Sequence, residues 1–220
     1  MKLKILIFDD QMINIECYQD MLKDVFLVSG FTETINYEQV LQKNKPHGIL
    51  LDLHMPVYDG FVLHDKITHS DHYNGCPIFF ISGDLSDESR LRAITSGGID
   101  FFNRSIGKEE LTLRLSSKIK SFLQGNTLID LGNLRLDTFS FNAYINDKLT
   151  ELSLIEMRIL SLVMRRMPDA VHKNELMTQI WGDTSSQGKM YVHLSNIKSK
   201  LAAWNHELRI RDNFIVIDAV

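Results

Sequence analysis

A short apolar run ends at an acid in the segment Gly48-Ile49-Leu50-Leu51-Asp52-Leu53-His54-Met55-Pro56-Val57-Tyr58-Asp59-Gly60. A continuous apolar run is typical of a strand that is covered on both faces. The proline and the Asp-Gly pair that follow predict a turn before a helix at 60–68. The segment therefore predicts a buried strand that delivers the carboxylate of Asp52 to its carboxyl end.

The alternation of strand and helix repeats along residues 1–122. Strands are predicted at residues 3–8, 26–28, 49–51, 77–82 and 99–102, and helices at 11–25, 35–43, 60–68, 86–96 and 108–122. Five strands that alternate with five helices predict a doubly wound α/β fold, in which a five-stranded parallel sheet has helices on both faces.

Composition narrows the class of protein. With 220 residues, the chain is one large domain or two small ones, and 44% hydrophobic residues argue against disorder. The net charge of −4 lies in residues 1–125, because residues 126–220 hold equal numbers of acidic and basic residues. Cys17 and Cys76 are predicted to be free thiols in a reducing compartment. No apolar stretch is long enough to span a membrane, so we expect a cytoplasmic protein.

Polar residues follow the predicted strands where a parallel sheet binds ligands, at the carboxyl ends. Asp9 and Asp10 follow the first strand, Asp52 the third, Ser82 the fourth and Arg104 the fifth. Three carboxylates in one crevice repel one another unless a cation or protons offset them, and hard carboxylate oxygens suit Mg²⁺. A hydroxyl and a guanidinium suit a phosphoryl group. The pattern predicts a carboxylate nucleophile that accepts a phosphoryl group beside a metal ion.

These residues resemble the receiver domain of two-component response regulators, which is flavodoxin-like in fold. The resemblance rests on Asp9-Asp10, the run at 52–60, Ser82, and the run Gly97-Gly98-Ile99-Asp100-Phe101. It implies that Asp52 is the phosphoacceptor and that Mg²⁺ is the cofactor. The implied ligands of the ion are Asp9, Asp10, Asp52 and the backbone carbonyl of His54. The implied phosphate sensors and switch residues are Ser82, Phe101 and Arg104.

Two residues depart from the receiver pattern. Arg104 stands where receivers nearly always have lysine, and Ser105 stands where they have proline. An arginine is longer and planar, so its contact with a phosphoryl group differs from that of a lysine. The Lys-Pro peptide of the family is cis, and a cis Arg104–Ser105 peptide would cost roughly 3 kcal/mol, so we expect a trans peptide and a shifted loop.

A charged face over residues 90–114 resembles the dimer face of the OmpR/PhoB subfamily. By this resemblance a homodimer forms through the predicted fourth helix, fifth strand and fifth helix. The implied residues are Arg90, Leu91, Ile94, Asp100, Glu110 and Arg114. The expected pairs between protomers are Arg90 with Glu110 and Asp100 with Arg114. The alternative is a solvated charged surface.

The second half begins after a linker at 123–127. Short strands are predicted at 134–136, 141–145 and 148–152, with Asn146-Asp147 as a hairpin turn. A capping box at Ser153 and Glu156 opens a helix, and a second helix follows at 173–181. A third helix at 187–204 has the apolar stripe Met190, Leu194, Ile197, Leu201 and Trp204, and a hairpin ends the chain.

The charge pattern of the third helix indicates what kind of partner this half of the chain binds. No acid occurs between Thr184 and His206, and a basic face with small residues suits a DNA groove. The order of elements resembles the winged helix-turn-helix α+β effector domain of the same subfamily, over residues 128–220. The candidate DNA-binding residues are Lys189, Val192, Ser195, Asn196, Lys198, Ser199, Lys200 and Arg211.

The resemblance over the whole chain implies a DNA-binding response regulator rather than an enzyme. A cognate sensor histidine kinase would phosphorylate Asp52, and the change would control dimerisation and transcription at double-stranded promoter DNA, with RNA polymerase as a further partner. A first alternative is a regulator that binds DNA as a constitutive dimer without phosphorylation, which Arg104 and Ser105 motivate. A second is a protein-interaction module without DNA binding, which the balanced charge of the second half motivates.

Overall fold

The computed structural model describes residues 2–83, 86, 91–93, 95, 97–123, 127–182 and 184–220. The chain divides into two compact units, Met1–Phe122 and Leu123–Val220. No helix among the described residues is both long and apolar enough to cross a bilayer.

A five-stranded parallel sheet is the centre of the first unit. Its strands run in the order β2-β1-β3-β4-β5. The strands are β1 (Leu3–Phe8), β2 (Phe26–Phe31), β3 (Gly48–Asp52), β4 (Ile78–Ser82) and β5 (Asp100–Asn103). Four helices of this unit lie wholly within the described residues: α1 (Met12–Leu22), α2 (Tyr37–Asn44), α3 (Gly60–Thr68) and α4 (Lys108–Leu123). Every residue of β3 and β4 is buried, which explains their unbroken apolar runs.

The predicted doubly wound fold is confirmed, with shifts at the ends of elements. Strand β2 is three residues longer than predicted, because residues 29–31 continue the pairing with β1. Val25, within the helix predicted at 11–25, lies beyond the end of α1 and is 44% exposed. Of the helix predicted at 86–96, residues 91–93 and 95 are helical, and the others except Ser86 lie outside the described residues.

The second unit has two antiparallel sheets and a group of helices. A four-stranded sheet consists of β6 (Leu128–Leu131), β7 (Leu134–Asp137), β8 (Asn142–Ile145) and β9 (Lys148–Thr150). The helices are α5 (Leu154–Arg166), α6 (Lys173–Trp181) and α7 (Gln187–Lys200). A three-stranded sheet, in the order β10-β12-β11, consists of β10 (Val171–His172), β11 (His206–Arg211) and β12 (Phe214–Ala219). Three helices followed by a hairpin confirm the predicted winged helix class.

The capping box predicted for the second unit and its predicted hairpin turn are both present in the structure. The side chain of Ser153 accepts a hydrogen bond from the backbone of Glu156, and the Glu156 side chain accepts one in return, which completes the capping box of α5. Asn146 and Asp147 both have positive φ, as do Asp212 and Asn213, which is the backbone of a tight two-residue hairpin turn. The turn residues therefore set both hairpins.

Gly60 permits the close approach between the end of β3 and the start of α3. An added Cβ at this position would clash with the backbone oxygen of Asp52 and lie 3.0 Å from the Cα of Leu53. The backbone N–H of Gly60 also donates to the carbonyl of Leu53 at 3.0 Å. Asp59 caps the helix by accepting from the backbone N–H of Val62 at 2.8 Å. The turn after Asp52 is thus held by a glycine and an N-cap.

We expect Gly60→Ala to destabilise the chain by about 1–3 kcal/mol, since the methyl group would push α3 away from the strand that carries Asp52. The matched control is Gly107→Ala, because an added Cβ there meets nothing within 4 Å. Urea denaturation of the full chain measures both variants. Equal effects of the two substitutions would contradict the prediction.

Candidate functional site

Three carboxylates meet at the carboxyl ends of two neighbouring strands. Asp52 is the last residue of β3, Asp9 follows the last residue of β1, and Asp10 comes next. One oxygen from each carboxylate lies within 4.8 Å of the other two. The side chains of Asp9 and Asp52 are fully buried. The structure thus brings together the three acids on which the sequence prediction rested.

The carboxylate of Asp9 is only half satisfied. Its Oδ1 accepts hydrogen bonds from the backbone N–H of Gln11 and from the side-chain amide of Asn14, both at 2.9 Å. Burial raises the pKa of Asp9 above its usual value, and the charge of Asp52 acts in the same direction, against these hydrogen bonds and Arg104. Within the described residues, Oδ2 of Asp9 and Oδ1 of Asp10 are buried without a hydrogen-bond partner.

This donor set fits a magnesium ion. Buried oxygens without a hydrogen-bond partner are costly, and a charged one more so. A hard divalent cation that binds oxygen would satisfy the free oxygens of Asp9 and Asp10 and reduce the repulsion among the three acids. The free oxygens lie on the residues that the receiver resemblance names as ligands.

Arg104 contacts Asp52 directly. Its Nη2 donates to Oδ1 of Asp52 at 2.5 Å, while Oδ2 of Asp52 accepts from the backbone N–H of His54 at 3.2 Å. The backbone N–H of Arg104 donates to the carbonyl of Ser82 at 2.8 Å, which sets the loop beside β4. Burial acts to lower the pKa of Arg104, but its hydrogen bond to Asp52 and the charge of that carboxylate raise it, and the net shift is upward. Both oxygens of Asp52 are therefore engaged.

The loop after β5 has a trans Arg104–Ser105 peptide, as expected, since the cis bond found among the described residues is Met167–Pro168. Nε of Arg104 is buried, and the part of the chain that is described offers it no hydrogen-bond partner. The guanidinium is thus committed to Asp52 through one nitrogen.

The remaining predicted site residues lie on the neighbouring strands. Ser82 is the buried last residue of β4, which pairs with both β3 and β5. Phe101, on β5, is partly buried against the core cluster that includes Leu51 and Phe80. Both residues are therefore held by the same sheet that positions Asp52.

Two residues of α1 were missed as part of the site. The side-chain amide of Asn14 donates a hydrogen bond to Asp9, and Tyr18 is a buried residue of the same helix. Burial and then the charge of Asp9 raise the pKa of Tyr18 to about 12, and Arg104 also acts on it electrostatically. The role of Asn14 could have been predicted, because it is a polar residue in the first turn of α1, which closely follows the two acids. Nothing in the sequence distinguished Tyr18 from an ordinary core residue.

The predicted dimer face has a different pairing within one chain. Arg114 donates to Asp100 at 2.6 Å and to Glu110 at 3.0 Å, so Asp100–Arg114 is an intrachain pair here. A pair between protomers therefore requires Arg114 to exchange partners. Leu91 is 66% exposed, and Arg90 and Ile94 lie outside the described residues. The dimer itself stays a prediction.

Helix α7 holds seven of the eight predicted DNA-binding residues, and Arg211 lies on β11. Two of the three lysines of α7 have acidic partners. Val192 is 57% exposed, and Ser195, Asn196 and Ser199 are exposed beside it.

The acidic partners come from other elements of the unit. Lys198 pairs with Glu207 of β11 at 2.6 Å, and Lys200 pairs with buried Glu156 of α5 at 2.7 Å. Arg211 pairs with Asp218 at 2.6 Å. Among the described residues, exposed Lys189 has no ion-pair partner, which makes it the most available cation of the predicted set.

Comparison with known proteins identifies the family. The sequence model of the family described as the response regulator receiver domain matches residues 5–116, which is half of the chain. The chain belongs to the response regulator receiver family. This response regulator is 24% identical to the transcriptional regulatory protein YxdJ of Bacillus subtilis over 193 residues, which cover 84% of this chain and 81% of that protein.

A second relative supports the predicted subfamily. The phosphate regulon transcriptional regulatory protein PhoB of Pseudomonas aeruginosa is 26% identical over 195 residues, with 86% of this chain and 81% of that protein covered. Both alignments extend well past the receiver, and the resemblance to the OmpR/PhoB subfamily is confirmed. Among solved structures, the receiver domain of sensor histidine kinase PA1611 from P. aeruginosa, which has a magnesium ion in its active-site cleft, superposes with a TM-score of 0.50 at 21% identity, over 55% of this chain and 99% of that one.

We expect Asp9→Asn to raise the unfolding temperature of the metal-free response regulator, because the fold disfavours the charged carboxylate that the substitution removes. Mg²⁺ should stabilise the wild type, by about 2.7 kcal/mol at 100 times its dissociation constant, and the variant far less. Scanning calorimetry with and without Mg²⁺ measures both effects. Asp20→Asn, at an exposed position, is the control. An equal response of Asp9→Asn and wild type to Mg²⁺ would contradict the assignment.

Proposed function

We propose that this chain is a DNA-binding response regulator of a two-component system. Residues 1–122 are the regulatory receiver domain, 123–127 the linker and 128–220 the winged helix-turn-helix domain. The observation that carries the proposal is the cluster of Asp9, Asp10 and Asp52, whose oxygens lie within 4.8 Å of one another at the ends of β1 and β3. The names of the relatives as transcriptional regulatory proteins support the role of the second unit. The proposal includes action in the cytoplasm, where promoter DNA and the phosphorylating domain of a sensor kinase would both be accessible.

Asp52 is the phosphoacceptor in this proposal. One of its carboxylate oxygens attacks the phosphorus of a phosphohistidine on the partner kinase, a new O–P bond forms, and the N–P bond breaks to release histidine. Asp9, Asp10, Asp52 and the backbone carbonyl of His54 would hold Mg²⁺, and a bound ion would supply positive charge beside the transferred group. The chain's own part is to hold Asp52 at a buried strand end, beside the carboxylates of Asp9 and Asp10.

Arg104 sets the condition for that step. Its guanidinium occupies Oδ1 of Asp52, and the backbone of His54 occupies Oδ2. The attacking oxygen must therefore be released before it reacts, and the phosphoryl group then offers Arg104 new acceptors in place of the carboxylate. We propose that the hydroxyl of Ser82 donates a hydrogen bond to the phosphoryl group and that the side chain of Phe101 repacks in response. The dimer face of Leu91, Asp100, Glu110 and Arg114 then rearranges, with Arg90 and Ile94 as its remaining residues.

The contact between Arg104 and Asp52 also favours a second candidate function. The guanidinium of Arg104 already occupies Oδ1 of the acceptor, and the backbone N–H of the same residue is bound to Ser82, so the loop after β5 is fixed to the site without a phosphoryl group. In this version the regulator dimerises and binds DNA without phosphorylation. The two versions differ in one property, the reactivity of Asp52.

Reaction with a small phosphodonor and Mg²⁺, followed by intact mass measurement, tests that reactivity. We expect a single phosphate adduct on the wild type, none on Asp52→Asn, and faster accumulation on Arg104→Lys, because a lysine is a compact charge that leaves Oδ1 more easily. A wild type that stays unmodified while Arg104→Lys reacts would establish the phosphorylation-independent version. An adduct that persists in Asp52→Asn would reject Asp52 as the acceptor.

The ion pairs of the second unit predict a shallow salt dependence of DNA binding. The logarithm of the binding constant falls by about 0.9 per phosphate neutralised and per tenfold rise in salt. Because Lys198, Lys200 and Arg211 have acidic partners, we expect a slope of about −1 to −3. Lys189→Ala should make the slope shallower by about 1, and Lys148→Ala, on the other sheet of the unit, should leave it unchanged.

Fluorescence anisotropy with labelled duplex at several salt concentrations measures these slopes. A slope as steep as that of a protein with six or more phosphate contacts would show that the paired cations exchange partners freely. Absence of binding to any duplex would favour a protein-interaction module instead.

A further inference from the structure

The outward face of α7 has a line of residues without charge. Val192, Asn196 and Ser199 follow one another at spacings of four and three, so they lie on one side of the helix. Met190, Leu194 and Ile197 are buried on the opposite side. In the proposed DNA complex the exposed line is the part of the helix that faces into the groove.

The cations beside this line are held away from it. Lys198 is bound by Glu207 of the terminal hairpin, and Lys200 by Glu156 at the start of α5. The Glu156 side chain is 2% exposed, so moving Lys200 to a base would leave a buried carboxylate unpaired. No arginine occurs between Gln187 and Lys200. The face therefore has no arginine, and its one lysine without an acidic partner among the described residues, Lys189, lies at the N-terminal end of the line rather than at its centre. Arginine and lysine are the side chains that most often read guanine.

The uncharged side chains of this line match the base edges of A·T pairs. An asparagine amide matches adenine, because its oxygen accepts from N6 and its nitrogen donates to N7. Apolar side chains contact the C5-methyl group of thymine. Val192 is 57% exposed and lies between Lys189 and Asn196 along the helix. A hydroxyl such as that of Ser199 can donate or accept a hydrogen bond, so it does not distinguish between the bases.

We propose that α7 reads A·T base pairs in the major groove, with Asn196 bidentate on an adenine and Val192 against a thymine methyl group, while Lys189 contacts a flanking phosphate. The proposal rests on the DNA-binding function proposed above and specifies its substrate as a site with an A·T core. Specificity in this arrangement comes from one amide and one methyl contact, with phosphate contacts adding little.

Selection from a randomised duplex library by the full-length wild type is the first experiment. The expected result is enrichment of A·T pairs at the core of the site. Asn196→Asp should change the preference at one position from adenine to cytosine, because a carboxylate accepts from the N4 amino group of cytosine and donates nothing to N7 of adenine. Asn196→Ala should lose about tenfold in affinity for the selected site.

A duplex in which uracil replaces thymine tests the methyl contact alone. The wild type should bind the uracil duplex about fourfold more weakly, which corresponds to one buried methyl group. Val192→Ala should bind both duplexes equally, and Lys148→Ala should behave as wild type. The two substituted positions of α7, Val192 and Asn196, are exposed, and unchanged unfolding temperatures verify that the variants fold.

Two outcomes overturn the proposal. A selected core of G·C pairs, or equal binding of thymine and uracil duplexes by the wild type, would reject this readout and leave DNA binding intact. Failure of the wild type to bind any duplex in the library would reject the DNA-binding function as well.

Discussion

Three carboxylates in one small space constrain the first unit of this response regulator more than any other feature. Strands β1 and β3 are adjacent and buried, so Asp9, Asp10 and Asp52 cannot move apart without disrupting the sheet. One guanidinium, that of Arg104, offsets part of their charge. The remainder corresponds to two negative charges, which is the charge that one divalent cation would balance. Binding of a cation or a phosphoryl group would therefore change the electrostatic balance of this site.

Pairing of a candidate binding cation with a carboxylate of the same chain also occurs in the second unit. Lys200 is bound to buried Glu156, and Lys198 to Glu207, as Arg104 is bound to Asp52. In each case a cation that could contact a partner is already satisfied within the chain. Exchange of partners is therefore the step that binding requires, and it costs more for a buried carboxylate than for an exposed one. This asymmetry makes Lys200 a fixed element of the helix packing and leaves Lys189 as the more available charge.

How much of this was predictable depends on the range of the interactions. The buried strands β3 and β4 are unbroken apolar runs, and the turn residues 146–147 and 212–213 define their hairpins locally, so the sequence was sufficient for them. Strand β10 has two residues and β6 has weak patterning, and both were missed because they exist only through pairing with distant strands.

Side-chain partners were the least predictable feature. Nothing in the local sequence of Arg104 shows that its guanidinium reaches Asp52, which lies 52 positions away in the chain. The pairing of Arg114 with Asp100 in one chain was expected between two chains for the same reason, since the residue types and not their geometry are visible in a sequence. Residues that were grouped by strand ends, such as Asp9 and Asp52, were placed correctly because topology alone brings them together.

A high-resolution crystal structure of the full chain grown with Mg²⁺ tests this arrangement most directly. We expect one ion bound by side-chain oxygens of Asp9, Asp10 and Asp52, with Nη2 of Arg104 still within hydrogen-bond distance of Oδ1 of Asp52. A crevice without an ion at saturating Mg²⁺, or an Arg104 side chain turned away from Asp52, would contradict it.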